Sequence, residues 1–129
     1  MRFFMAIHPP TVTAQEKRVS VHNGKPVFYD SFEIKEAREV FLANLKHFAP
    51  KKPMSGAISL TTVWCFPKGK HAHGEWKTTK PDTDNAVKLL KDCMTACGFW
   101  HDDAQVASET IQKRWSDEPC GILVGVEEL

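Results

Sequence analysis

Four aspartates and one lysine are the residues in this sequence best placed to do chemistry. Asp82 and Asp84 stand where the amphipathic stretch "TDNAVKLLKDCMTAC" begins, Asp102 and Asp103 follow just after it ends, and Lys88 lies between them. Taken singly, each acid has a structural use. Asp82 or Asp84 can cap a helix and favour its dipole, and Asp102 and Asp103 suit a turn before a strand. Taken together they admit another reading. Carboxylates gathered in one cleft repel each other and must be protonated or neutralised by a cation. Oxygen ligands select a hard ion, Mg²⁺ with Mn²⁺ as a substitute, over zinc, which prefers His and Cys. Such an ion keeps positions open for water and phosphate oxygens, lowers the pKa of a bound water and stabilises charge on a phosphate being cleaved. Lys88, four residues after Asp84, shares its side of a helix. It can form a salt bridge worth ~0.2–0.5 kcal/mol or meet the charge that develops on the phosphate; spacing leaves both open. The metal reading also makes a geometric demand. A helix of about sixteen residues is ~24 Å long, so Asp103 comes near Asp82 and Asp84 only if the chain folds back at once after Gly98.

The elements that must position these residues can be read along the chain. "RFFMAIHP" reads as a strand ended by Pro9 and Pro10. Next, "VSV" and "VFY" flank Asn23-Gly24, a tight hairpin turn, with Pro26 making the second arm short or an edge. Ser31 is a helix cap, and the following helix places Phe32, Ala37, Val40, Phe41, Leu45 and Phe48 mainly on one face before Pro50 and Pro53. "GAISLTTVWCF" is a central strand closed by Pro67. "KGKHAHGEWKTTK" has no periodicity and reads as a mobile surface loop. A second helix runs from about Asp82 to Cys97, with Val87, Leu90, Met94 and Cys97 at helical spacing and Gly98 as its C-terminal cap. "QVASETIQKRW" and "GILVGVEE" supply the last strands. The fold class expected is α+β: a two-layer sandwich of two main helices on a mixed sheet of about five strands, forming a single domain over residues 1–129.

Bulk properties narrow the function. The 129 residues are 42% hydrophobic and 26% charged, enough for a core and ordinary for a soluble protein. No run approaches the ~20 apolar residues that span a bilayer, and the N-terminal stretch lacks the form of a signal peptide, so a cytoplasmic location is expected. The four cysteines have no CxxC spacing, and Cys93 and Cys97 read as packing residues of a helix rather than a redox or metal pair. The net charge is only +1, yet from Lys46 to Lys91 nine lysines face three acids, Glu75, Asp82 and Asp84. A basic middle is compatible with a nucleic-acid face or with plain solvated surface. A calcium loop is excluded for "DTDN", because Val87 stands where the sharp-turn Gly is required and no Glu occupies the twelfth position. His71, His73 and Glu75, close together on one loop, make a weak case for zinc, and Trp76 is the tryptophan placed to stack on an exposed base.

The stretch "KPDTDNAVKLLKDCMTACGFWHDDAQV" resembles the signature of the RusA-type Holliday junction resolvases over about 27 residues. The matching elements are Asp82, Asp84, Asn85, Lys88, Gly98, Phe99, Trp100, Asp102, Asp103, Gln105 and Val106. The resemblance implies a small homodimer that binds four-way DNA junctions and nicks two strands symmetrically with Mg²⁺, in recombination and repair. It implies Asp82, Asp84 and Asp103 as metal-binding catalytic carboxylates and Lys88 as a catalytic lysine. Asp102, Asn85 and Gln105 take supporting places, and Lys68, Lys70, Lys77 and Lys80 become phosphate contacts. Alternatives within the resemblance are a flap- or fork-preferring nuclease and a DNA-binding accessory protein without catalysis.

Overall fold

The computed structural model describes residues 1–11 and 17–129, with only the backbone of residues 17, 18, 20, 22 and 27–30. Six strands and two helices follow in the order β1 (Arg2–Met5), β2 (Lys17–His22), β3 (Lys25–Asp30), α1 (Phe32–Leu45), β4 (Ile58–Pro67), α2 (Thr83–Ala96), β5 (Val106–Ser116) and β6 (Gly121–Glu128), with a 3₁₀ turn at Asp103–Gln105. The fold is α+β, as expected. Its main sheet has four strands, in the order β1-β6-β4-β5, and the β2–β3 hairpin forms a two-stranded sheet of its own instead of joining one sheet of about five. Asn23 and Gly24 both adopt positive φ, 52° and 76°, and the two arms satisfy each other's backbone groups across that turn. Pro26, lacking an N–H, suits an arm with a single partner.

Alternation decides which side of the sheet is core. In β4 the residues Ile58, Leu60, Thr62, Trp64 and Phe66 are buried while their neighbours are not, the period-2 pattern of a strand covered on one face. Ile122, Val124 and Val126 of β6 extend that face. Against it lie Ala86, Val87, Leu89, Leu90, Cys93 and Met94 of α2, each large apolar side chain contributing about 1.5–3 kcal/mol on burial. The buried stripe of α1 is Ile34, Phe41 and Leu45, with the Phe41 ring edge-on to Trp64 at 6.3 Å. It is narrower than the expected face: Phe32 in the first turn is 75% exposed and Val40 is at the surface, though Phe48 stacks on Phe3 at 4.5 Å. Ser31 accepts the Ile34 N–H at 3.2 Å and caps α1.

Parallel pairing of β4 and β5 fixes where the chemistry can be. A parallel pair requires a crossover, here the helix α2, which runs back antiparallel to both strands. Its N-terminus therefore lies at the C-terminal end of β4, and its C-terminus at the opposite end of the sheet, where β5 begins. Gly98, at φ 83°, closes α2: its N–H reaches Thr95 O at 3.0 Å and that of Phe99 reaches Met94 O at 3.0 Å, the paired bonds of a Schellman cap.

Gly121 sets the β1–β6 approach. A Cβ there would stand 2.1 Å from Met5 O and 2.5 Å from the Phe4 ring. Gly121→Ala is expected to lower stability by about 1–3 kcal/mol, read as a lower midpoint in urea with an unchanged m-value.

Candidate active site

Asp82 is the N-cap of α2, yet its side chain makes no capping hydrogen bond. The capping bond that sequence allows it is thus not made, and its exposed carboxylate has no hydrogen bond or ion pair among the described residues. Asp84, in the first turn, is exposed too, while Asn85 is half-buried. Lys113 prepares this end of the helix from β5: its Nζ donates to Thr79 O at 2.6 Å and Pro81 O at 2.7 Å, fixing the chain that enters Asp82.

Asp103 belongs to the other end. Its Oδ1 accepts from the Thr95 hydroxyl and, at 3.3 Å, from the Trp100 indole N–H, which also donates to Thr95 Oγ1 at 2.7 Å. Trp100, 1% exposed, is the packing anchor behind this carboxylate. Asp102 caps the 3₁₀ turn by accepting the Ala104 N–H at 2.8 Å. Gln105 accepts the His101 and Asp102 N–H groups and donates to Met54 O and Gly56 O at 2.9 and 3.0 Å, tying the returning chain to the segment before β4. Asp92, Thr95, His101, Asp102 and Asp103 line an open pocket of about 280 Å³.

The chain does fold back at once after Gly98, but only as far as Thr95. From Thr83 to Thr95 the helix rises about 18 Å, so Asp82 and Asp84 do not meet Asp103 within one chain. Among the described residues, the three metal-ligating groups that do converge are His8, Glu118 and Cys120, within 4.8 Å of one another. These are accounted for without an ion: His8 Nε2 and Glu118 Oε1 pair at 2.8 Å, and the Cys120 thiol faces Ser116 O and Asp117 O.

Sequence reading missed Asp92. Burial, a hydrogen bond to Asp103 and the charge of Asp103 raise its pKa above the ordinary carboxylate range, against the opposing pull of Arg38 and Lys88. Its signal lay in the spacing: Asp84, Lys88, Asp92 and Thr95 are four, four and three residues apart, so one polar stripe of α2 joins the two acidic ends. No ion pair joins Lys88 to Asp84 among the described residues, and the lysine's positive charge is felt by Asp92. Because the fold favours protonated Asp92, ionisation there costs stability above its raised pKa, and the cost disappears below its ordinary value. Asp92→Asn is therefore expected to raise the melting temperature at neutral pH without divalent ions. The gain should close as pH falls below about 4, in thermal melts of both proteins across pH.

The basic loop departs from expectation in two ways. Lys70 and Lys80 are exposed, and Lys68 pairs with Asp117 at 3.4 Å while half in solvent. Lys77, in contrast, is 8% exposed, with its Nζ 4.2 Å from the Trp115 ring centroid and 2.5 Å from Thr79 Oγ1. It is a packing cation rather than an available phosphate contact, and burial, then Lys113, lower its pKa. The histidines also pin the loop. His71 pairs with Glu75 and stacks on Trp115 at 4.3 Å, and His73 Nδ1 accepts the Asp117 N–H at 2.9 Å, so the two are spent separately and form no zinc cage. Cysteine chemistry is likewise quiet. All four thiols are free, and burial pushes Cys93 and Cys120 up to about 11. None of the described helices is long and apolar enough to cross a membrane.

Comparison with known proteins bears on the whole chain. The family model for Endodeoxyribonuclease RusA matches residues 9–127. The chain is 31% identical over 125 residues to the crossover junction endodeoxyribonuclease rusA of Lactococcus phage r1t, covering 91% of this chain and 89% of the phage protein. It is 26% identical over 125 residues to the uncharacterized protein YqaN of Bacillus subtilis (strain 168), covering 88% and 87%. A match across nearly all of the sequence, with the acids at both ends of α2 inside it, places this chain in the RusA endodeoxyribonuclease family.

Proposed function

We propose that this protein is a Mg²⁺-dependent crossover junction endonuclease: one domain that acts as a homodimer on four-way DNA junctions and hydrolyses phosphodiester bonds in two symmetric strands, in recombination and repair. The observation that carries the reading is the Asp82 carboxylate, a helix N-cap that caps nothing and opens to solvent beside Asp84. A capping role would spend that carboxylate on the helix N–H groups. The oxygen donors of Asp82, Asp84 and Asp103 fit Mg²⁺, with Mn²⁺ as a substitute. When bound, the ion supplies Lewis acidity toward the phosphate and activation of water.

The chain's own groups supply the rest. Lys88, midway along the polar stripe, offers a cation to charge developing on the phosphate. Thr95 and Trp100 aim the Asp103 carboxylate. Asn85 and Asp102 support the acids beside them, and Gln105 holds the strand behind Asp103. Lys68, Lys70 and Lys80 provide phosphate contacts, neutralising backbone charge with release of counterions. Symmetric nicking needs two active sites about a two-fold axis. The same axis answers the separation of the acids: a partner turned end for end can bring the partner's Asp103 to the Asp82 end of this chain, so each site draws carboxylates from both subunits.

The test is incubation with a synthetic four-way junction, a flap, a fork and a linear duplex, with and without Mg²⁺. Paired nicks in the junction alone, dependent on the ion, support the reading. Binding without cleavage under any divalent ion identifies an accessory protein, and preferential flap or fork cleavage overturns the junction assignment.

A further inference from the structure

The loop between β4 and α2 holds an aromatic platform that the chemistry above does not use. Strand β5 is an edge of the main sheet, and residues 74–77 line its outer side. Gly74 N–H donates to Trp115 O at 2.8 Å, Trp115 N–H to Glu75 O at 2.8 Å, and Lys77 N–H to Lys113 O at 3.0 Å, with Trp76 bridged to Arg114. The loop expected to be mobile is thus tied along that edge by three backbone hydrogen bonds and an isolated bridge at Trp76. Within it Trp76 is 55% exposed, whereas Trp64 and Trp100 are in the core.

One face of the Trp76 ring is occupied. The Arg114 guanidinium carbon lies 3.7 Å from its centroid, and Arg114 is itself fixed by Nη1 donating to Gly74 O at 2.9 Å. With that cation in place the residue still keeps 55% of its surface exposed. Pinning the loop does not require that indole, since the backbone bonds, Lys77 and Lys113 already do so. The ring is therefore a rigid, half-covered π surface backed by a cation, and Lys113 connects its strand to the residues that enter Asp82.

We propose that Trp76, braced by Arg114, is a binding subsite for a nucleobase unstacked at the branch point of DNA. The inference rests on the junction-nuclease reading and deepens it. A flat aromatic face accepts any base, because every base has a π surface. A continuous duplex presents no free base face, whereas a branch point interrupts stacking. Such a platform discriminates branched from linear DNA without reading sequence.

The test uses a four-way junction carrying 2-aminopurine at a branch-point nucleotide, bound in EDTA so that binding is read apart from cleavage. Wild type and Trp76→Phe are expected to quench the probe. Trp76→Ala should lose the quenching and bind the junction about tenfold more weakly, with affinity for the linear duplex changed less than about twofold. Thermal melts confirm that each variant is folded. Unchanged quenching and affinity in Trp76→Ala, or an equal loss on junction and duplex, overturns the platform. If wild type cuts junctions with Mg²⁺ in that case, the nuclease reading survives it; if wild type neither binds nor cuts them, both fall together.

Discussion

Asp82→Asn is expected to reduce junction cleavage on the order of 10²- to 10³-fold while junction binding and thermal stability stay close to wild type. The reasoning is a contrast between two uses of one carboxylate. Were Asp82 a working cap, its loss would cost stability, about 0.5–2 kcal/mol for a change to Ala, and cleavage would be spared. The side chain makes no capping bond, so its replacement by an amide of the same shape removes little from the fold. What it removes is an anionic oxygen at the end of α2, where a divalent ion would be held. Cleavage under rising Mg²⁺ or Mn²⁺, junction affinity without metal, and a thermal melt separate the cases. Asp84→Asn should behave alike, since Asp84 is also exposed in the first turn of α2. A variant that cleaves at full rate with a lowered melting temperature would make Asp82 a structural residue and remove the central support for the site.

Local signals in this sequence were legible in proportion to how short-ranged their physics is. Asn23-Gly24 has one cheap conformation and gave a hairpin; Gly98 adopts the positive φ that a helix end requires; Ser31 caps α1. The β-branched and aromatic content of β4 foretold a central strand, and the stripe of Val87, Leu90 and Met94 foretold the buried face of α2. Long-range pairing was not legible. That the hairpin stands apart, and that β4 and β5 run parallel, depends on which strands meet, and no local pattern encodes that. The same limit governs the site. Sequence showed two acidic groups flanking a helix, but only the β4–α2–β5 crossover shows that they occupy opposite ends of the sheet. The basic loop illustrates it again: Lys77 and Lys80 look alike in composition, and only the rings of Phe66 and Trp115 beneath Lys77 distinguish a packing cation from a solvated one.

Separation of the acids leads to the second large expected effect. If the protein works as the proposed homodimer, Asp82→Asn and Asp103→Asn should each be inactive alone, yet the two proteins mixed and allowed to exchange subunits should regain nicking. A site built from Asp82 and Asp84 of one chain and the partner's Asp103 leaves each mixed dimer with one site missing both acids and one site intact. With random exchange half of the dimers are mixed and half of their sites work, so about a quarter of the wild-type nicking rate is expected. The product should be a junction nicked in one strand, not the symmetric pair, because the second site of the mixed dimer is dead. If instead each chain used its own three carboxylates, every site in the mixture would lack one of them and mixing would restore nothing. The rise of about 18 Å along α2 favours the first outcome, since one ion cannot touch both ends of that helix. Complete failure of the mixture, with subunit exchange verified by differently sized tags, would return the search to a site formed at one end of α2 alone, at Asp82 and Asp84 or at Asp92 and Asp103.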